Sequence, residues 1–359
     1  MKTFKAKKLT LALTISAGLV TTLCTNASAA EIVVASWGGA YSQAQTEAMV
    51  KPFTAKTGTK VLMADYNGGL AEMRAQVKTG NVKWDVVDVE LAEALRGCDE
   101  GLFEKIDRSK LPAGADGSPA KDDFYKGLLT TCAVATISYA NVYAYDKTKF
   151  STGAPTTLED FFDLKKFPGK RSLKKSPTVA LEWALMADGV PVEKVYEVLS
   201  TPAGVDQAFK KLDTIKSSVV WWTAGAQPPQ LLASGEVALA AVYHGRIYDA
   251  VHKDNKPFAI VWDGQIDTPD LFAVVKGSQN TQAALDFVHS ATSTKSLADM
   301  TKYLPYSPAR KSSMKLVDEK IIPWLPSSPH AGRSMVLNAG WWSDHADELN
   351  QRFANWLAK

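Results

Sequence analysis

Cysteine and histidine are scarce in this chain, with three of the first and five of the second in 359 residues. The histidines, among them His244, His252 and His289, show no ligand-like spacing, so no metal centre is read from the sequence. No Ser-His-Asp or Cys-His arrangement stands out either, which argues against a nucleophilic hydrolase. The one long apolar run, Leu9–Leu23, is shorter than the ~20 residues a bilayer-spanning helix needs. No sign of charge dominates, no segment is of low complexity, and no internal repeat recurs at a fixed period.

What is present at the front is a leader. Lys2, Lys5, Lys7 and Lys8 precede the apolar run, and Ala27-Ser28-Ala29 gives the small-x-small pattern of a signal peptidase site. Export to the periplasm is expected, with residues 1–29 removed. Cys24 does not fit lipid attachment, because bulky Leu23 precedes it. The leader holds four of the 41 basic residues and none of the 38 acidic ones, so the mature body has 37 basic against 38 acidic side chains. A near-neutral body with mixed charges offers no nucleic-acid footprint. Cys98 and Cys132 then remain, and in an oxidising compartment they read as a disulfide rather than two free thiols.

About 330 mature residues exceed the size at which one core usually divides, so two domains are expected. Strand and helix patterns alternate. Glu31–Ala35, Lys60–Ala64 and Trp84–Val89 read as strands; Ser42–Lys56 reads as a helix bent or interrupted at Pro52, and Glu90–Arg96 as a helix capped by Gly97. Thr130–Tyr145 is long and β-branched enough to leave one sheet for another. Strands Val219–Trp222 and Glu236–Tyr243 and helices Thr178–Asp188, Val192–Ser200, Ala203–Lys216 and Gln227–Ser234 follow. Phe258–Trp262 and Leu271–Lys276 bracket an Asp-rich turn. The pattern predicts an α/β protein of two lobes, each a sheet flanked by helices, joined by two crossings.

Short motifs for chemistry fail on inspection. Lys-Thr-Gly at Lys56–Gly58 and Lys78–Gly80 precedes Ser-x-x-Lys at Ser172–Lys175 and Ser312–Lys315, the wrong order for a penicillin-interacting enzyme, and these read as solvated helix ends. Gly38-Gly39 lacks the spacing of a phosphate cradle. Aromatics do recur beside turns: Trp37 and Tyr41 flank the glycines, Trp221-Trp222 end a strand, Tyr243 precedes His244-Gly245-Arg246, Tyr303 and Tyr306 surround Leu304-Pro305, and Trp341-Trp342 follow Gly340. At the carboxyl ends of parallel strands such rings face the crevice where α/β proteins take ligands, and their faces suit an organic cation.

The leader, "EIVVASWGGAYSQAQTEAMVKPFTAKTGTKV", "KWDVVDVELAEALRGCDEGLFEKID", "LLASGEVALAAVYHGRIYDAV" and "YLPYSPARK" together resemble the spermidine/putrescine-type periplasmic solute-binding proteins of ABC importers. The resemblance covers nearly the whole mature chain. It implies a type II two-lobe binding protein, not an enzyme, with no cofactor, that closes on a solute and presents it to a membrane permease; a monomer is expected. The lobes would be 30–139 with 267–310, and 140–266 with 311–359.

Position by position, the resemblance places Trp37 and Tyr41, with Gly38-Gly39 between them, at the ligand, together with Glu90, Tyr243 and Trp342. Asp88, Trp222, Asp270 and Tyr306 complete the candidate set. Two departures bear on charge. Polyamine binders hold an acid just before the Tyr of the first motif, where this chain has Gly39-Ala40, and an Asp after the aromatic-x-Gly of the second lobe, where it has Arg246. A guanidinium suits a carboxylate, while Glu90, Asp88, Asp263, Asp267 or Asp270 can take an ammonium. A zwitterion such as γ-aminobutyrate is therefore expected at least as much as putrescine or spermidine. Arg246 in an interlobe ion pair with Glu90, another small carboxylate as ligand, and a ferric-iron carrier using Tyr303, Tyr306 or a histidine stand as alternatives.

Overall fold

Ten apolar runs hydrogen-bond into one sheet: β1 Glu31–Ser36, β2 Lys60–Asp65, β3 Val86–Glu90, β4 Ala133–Asp146, β5 Arg171–Lys174, β6 Val219–Trp222, β7 Leu239–Tyr243, β8 Phe258–Val274, β9 Ser307–Pro308 and β10 Ser334–Val336. The computed structural model describes residues 30–150 and 153–359, with Met1 and Thr3. The expected signal peptide and Cys24 thus lie outside the described residues. The order is β2-β1-β3-β8-β4-β7-β5-β6, with β10 beside β8 and β9 beside β4. Pairings among β1, β2 and β3 and among β5, β6 and β7 are parallel, while β3–β8, β8–β4 and β4–β7 are antiparallel.

Two strands carry the chain across. β4 has 14 residues and β8 has 17; at ~3.3 Å per residue each is far longer than an ordinary strand. One end of each enters a hydrophobic cluster with β1 and β3, through Ala133–Ala135 and Leu271–Val275. The other end enters clusters around Trp183, Leu239 and Val242, through Tyr143, Val142, Val261 and Phe258. Register shifts between Ala135 and Ile137 and between Asn141 and Tyr143 break the β4–β8 ladder midway. The bulges add twist where the chain passes from one half to the other.

Several local expectations are corrected. The Asp-rich segment is no turn but the middle of β8. Its acids are tolerated there because they find partners: Asp263 accepts from Leu158 N and from Arg333, and Asp267 from Gln265. The helix through Pro52 is not cut at the proline; a π-turn at Thr46–Val50, in which Lys51 N donates to Thr46 O, joins helix Gly39–Gln45 to Lys51–Thr57. Gly97 lies inside helix Leu91–Asp99, where a Cβ would sit 2.2 Å from the Phe103 ring. Ser172–Lys175 is no solvated helix end, since Ser172 and Lys174 lie on β5. Helix Ala339–Leu357 was not read from the sequence. Cys98 and Cys132 are bonded, with Cα atoms 5.7 Å apart, and tie helix Leu91–Asp99 to the start of β4.

Candidate functional site

The parallel strands all end at one crevice. Trp37 follows β1, Glu90 closes β3, Lys174 closes β5, Trp222 closes β6 and Tyr243 closes β7. This is the edge at which open α/β sheets place ligands, because side chains there project beyond the last ladder bond.

After β1 the backbone turns through Gly38 (φ 66°) and Gly39 (φ 56°) into the next helix. The positive φ favours glycine, and so does space: a Cβ on Gly39 would lie 2.9 Å from Arg246 Nη1, and one on Gly38 would lie 3.0 Å from Asp65 Oδ1. Gly39 makes room for a guanidinium. Gly245 acts likewise, because a Cβ there would meet the Tyr306 ring at 2.3 Å.

Trp37, Tyr41, Tyr139, Tyr243, Arg246, Asp270 and Tyr306 line a small pocket of about 10 Å³, room for about one water. Its rings contact one another, Tyr139 on Tyr243 at 4.8 Å, Tyr41 on Tyr306 at 5.5 Å and Trp222 behind Tyr243 at 5.5 Å. Arg246 is 4% exposed; its Nη2 donates to Gly38 O at 3.0 Å and to Trp37 O at 3.3 Å. Its Nε and Nη1 have no partner among the described residues, nor has Asp270 Oδ1. A buried arginine and a buried carboxylate with spare valence on one pocket are costly unless something else bonds them.

The electrostatics of Asp270 follow from its neighbours. β3 and β8 pair antiparallel with Glu90 opposite Asp270, so two carboxylates face across one rung. Burial first, then Asp88, Glu90 and Glu93, hold the Asp270 carboxyl well above its ordinary range, against the pull of Lys174. Asp88, fully buried on β3, accepts from Gln45 Nε2 at 2.5 Å and Ser36 Oγ at 3.2 Å. Burial outweighs those bonds and pushes it up to about 7.

A larger cavity of about 380 Å³ adjoins, lined by Glu90, Glu93, Lys174, Trp222 and Trp342 and sharing Tyr139 with the small pocket. The Tyr139 hydroxyl donates to Glu90 Oε1 at 2.8 Å. Glu93 accepts from Gly69 N and Tyr66 OH, and burial and Glu90 together push its carboxyl to about 7.

The predicted residues thus divide. Trp37, Tyr41, Tyr243, Arg246, Asp270 and Tyr306 meet in the small pocket, with Gly38 and Gly39 at its wall. Glu90, Trp222 and Trp342 face the larger cavity, and Asp88 lies beside Ser36 and Gln45. Trp342 Nε1 is bonded to Glu182 at 2.6 Å. The alternative pairing of Arg246 with Glu90 is not found; Glu90 lies 3.5 Å from Lys174, and Arg246 bonds backbone carbonyls. Tyr303 is 42% exposed and stays outside the pocket that holds Tyr306. Sequence reasoning missed Tyr139, Glu93 and Lys174. Tyr139 was visible in the long β run, and Lys174 inside the dismissed Ser-x-x-Lys.

Comparison with known proteins bears on the family and the fold. A family model described as bacterial extracellular solute-binding protein matches residues 48–327. A γ-aminobutyric acid-binding protein of Pseudomonas aeruginosa is 42% identical over 343 residues, 95% of each chain. Among solved structures, the Atu4243-GABA receptor is 35% identical with a TM-score of 0.78, covering 92% of this chain and 98% of that one. The binding protein MotA of A. tumefaciens B6, in complex with glucopine, is 30% identical with a TM-score of 0.84 over 91% of this chain and 99% of that one. The chain belongs to the bacterial extracellular solute-binding protein family.

Proposed function

We propose that this protein is the periplasmic receptor of an ABC importer for γ-aminobutyrate or a similar ω-amino acid. One observation carries the reading: Arg246 and Asp270, both buried and both with unpartnered polar atoms, face one aromatic pocket. The free guanidinium edge matches a carboxylate and Asp270 matches an ammonium, while the pocket as it stands has room for about one water, so the aromatic rings have to separate to take the methylenes between those two groups. The similarity to a γ-aminobutyric acid-binding protein supports the same class of ligand. The pocket walls belong to two lobes, taken as 30–139 with 267–310 and 140–266 with 311–359. Residues 311–314 fit better with the first, since Ser312 bonds Asp123 and Ser313 bonds Thr294. The ligand-closed monomer is what a membrane permease would recognise.

A second reading, a polyamine, draws on the four acids Asp88, Glu90, Glu93 and Asp270 around the crevice. Calorimetric titration of the mature protein with γ-aminobutyrate, putrescine and spermidine separates the two. We expect γ-aminobutyrate to bind tightest, and Arg246→Ala to weaken it by about 100-fold, since truncating one partner of a buried charge pair costs 2–5 kcal/mol. Unchanged affinity in R246A, or tighter binding of the diamine to the wild type, overturns the zwitterion reading.

A further inference from the structure

Lys174 is unused by the carboxylate-and-ammonium pairing above, yet it stands where the two cavities meet. It is the last residue of β5, in register with Trp222 at the end of β6. Its ammonium lies 5.5 Å from the Trp37 ring centroid, 5.9 Å from that of Tyr243 and 3.5 Å from Glu90 Oε1. Two aromatic faces and a carboxylate are the surroundings an organic ammonium seeks. Here the protein supplies that ammonium from its own chain.

We propose that Lys174 is a specificity-determining residue that excludes diamines, its ammonium occupying the place a ligand's second ammonium would take. The assignment rests on the small pocket being an amine site. A diamine with one end at Asp270 has to leave its other end somewhere off the pocket. Away from Arg246, the acids near Asp270 are Asp88, Glu90 and Glu93. Asp88 is enclosed by Gln45 and Ser36, while Glu90 and Glu93 line the 380 Å³ cavity reached past Tyr139. That cavity has the volume and the carboxylates for a second ammonium. Lys174 puts a like charge there and engages Glu90, so the wrong ligand meets repulsion and a carboxylate already spoken for. A zwitterion, whose second charge is negative and is matched by Arg246, does not enter that contest. Discrimination by a built-in repulsive group is a general device for separating ligands that share one end.

The test is the putrescine affinity of Lys174→Met, which keeps an unbranched side chain one atom shorter and removes its charge, measured by calorimetry at pH 8 beside the wild type. We expect putrescine to bind at least tenfold tighter to K174M than to the wild type, and Lys174→Arg to keep the wild-type discrimination. General damage to the fold would weaken γ-aminobutyrate and putrescine together, so a rise in the ratio of putrescine to γ-aminobutyrate affinity separates specificity from structure. If K174M does not fold, Lys174→Gln, which stays polar without the charge, reads the same quantity. A folded K174M or K174Q with putrescine affinity equal to or below that of the wild type overturns the assignment. The two ideas fail separately: a wild type without affinity for γ-aminobutyrate overturns the zwitterion reading, whereas an unmoved putrescine affinity overturns the role of Lys174 alone.

Discussion

Asp270 and Asp88 are the residues whose state must change when an amine arrives. Both carboxyls are raised by burial, Asp88 to about 7 and Asp270 well above its ordinary range. In the ligand-free site they hold protons that ordinary carboxylic acids have lost by pH 5. An ammonium favours the carboxylate, so binding lowers the pKa and releases a proton within the window between the bound and free values. Affinity for γ-aminobutyrate should therefore rise with pH through the neutral range. Calorimetry near pH 7 in buffers of different ionisation enthalpy should record net proton release that Asp270→Asn reduces. The same shift bears on stability. A native acid that keeps its proton longer than the unfolded one makes the free protein lose stability as pH rises from the ordinary carboxylate range to about 7. Ligand offsets that loss, so the thermal shift it produces should grow over the same range.

At the scale of elements, the pocket exists because a strand end, a glycine pair and a helix start are packed at closest approach. Helix His244–His252 begins directly after β7, and its Gly245 lets the Tyr306 ring lie against its backbone. His244, fully buried, reinforces this junction: its ring contacts Ala140 N at 3.1 Å and Pro305 O at 2.8 Å. That pins β4 and the Leu304–Tyr306 segment to one helix turn. Gly245→Ala should force the Tyr306 ring away, since a 2.3 Å contact with a packed ring cannot be absorbed by a flexible tip. We expect a loss of about 1–3 kcal/mol of stability, the usual range for overpacking, and weaker ligand binding, read by denaturant unfolding and by calorimetry. Gly245 lies outside the positive-φ region, so the loss reads the ring contact and not backbone strain.

On the scale of the molecule, β4 and β8 run through both halves, and the crevice lies across them. Arg246 reaches the Trp37 and Gly38 carbonyls over this divide, and Arg96 bonds Asp347 on the C-terminal helix. The pocket has room for about one water, so a larger ligand fits only when these contacts part. Two long strands with bulges in mid-ladder can bend without losing the cores at either end. Small-angle scattering should therefore give a larger radius of gyration for the ligand-free protein than for the protein saturated with γ-aminobutyrate. Equal values with and without ligand would argue that the lobes do not move.

Much of the plan was legible along the chain because it rests on local rules. Strand and helix alternation placed β1, β2, β3, β6 and β7, the long β-branched run announced β4, and the aromatic residues beside turns marked four of the seven side chains around the small pocket, with Arg246 and Asp270 marked by charge. The replacement of an acid by Arg246 was visible as a change of charge. What the sequence could not provide was partnership. β8 looked like two strands and a turn because aspartates are strand-poor in isolation, and only Arg333, Gln265 and Leu158, distant in sequence, satisfy them. The choice of Asp270 over Asp263 and Asp267 as the free acid follows from the same pairing. Lys174 resembled a chance motif until β5 was set beside β6 and β7. Periodicity and charge are written residue by residue; which buried polar atoms are left unbonded depends on strands that meet only after folding, and the proposed ligand rests on those unbonded atoms.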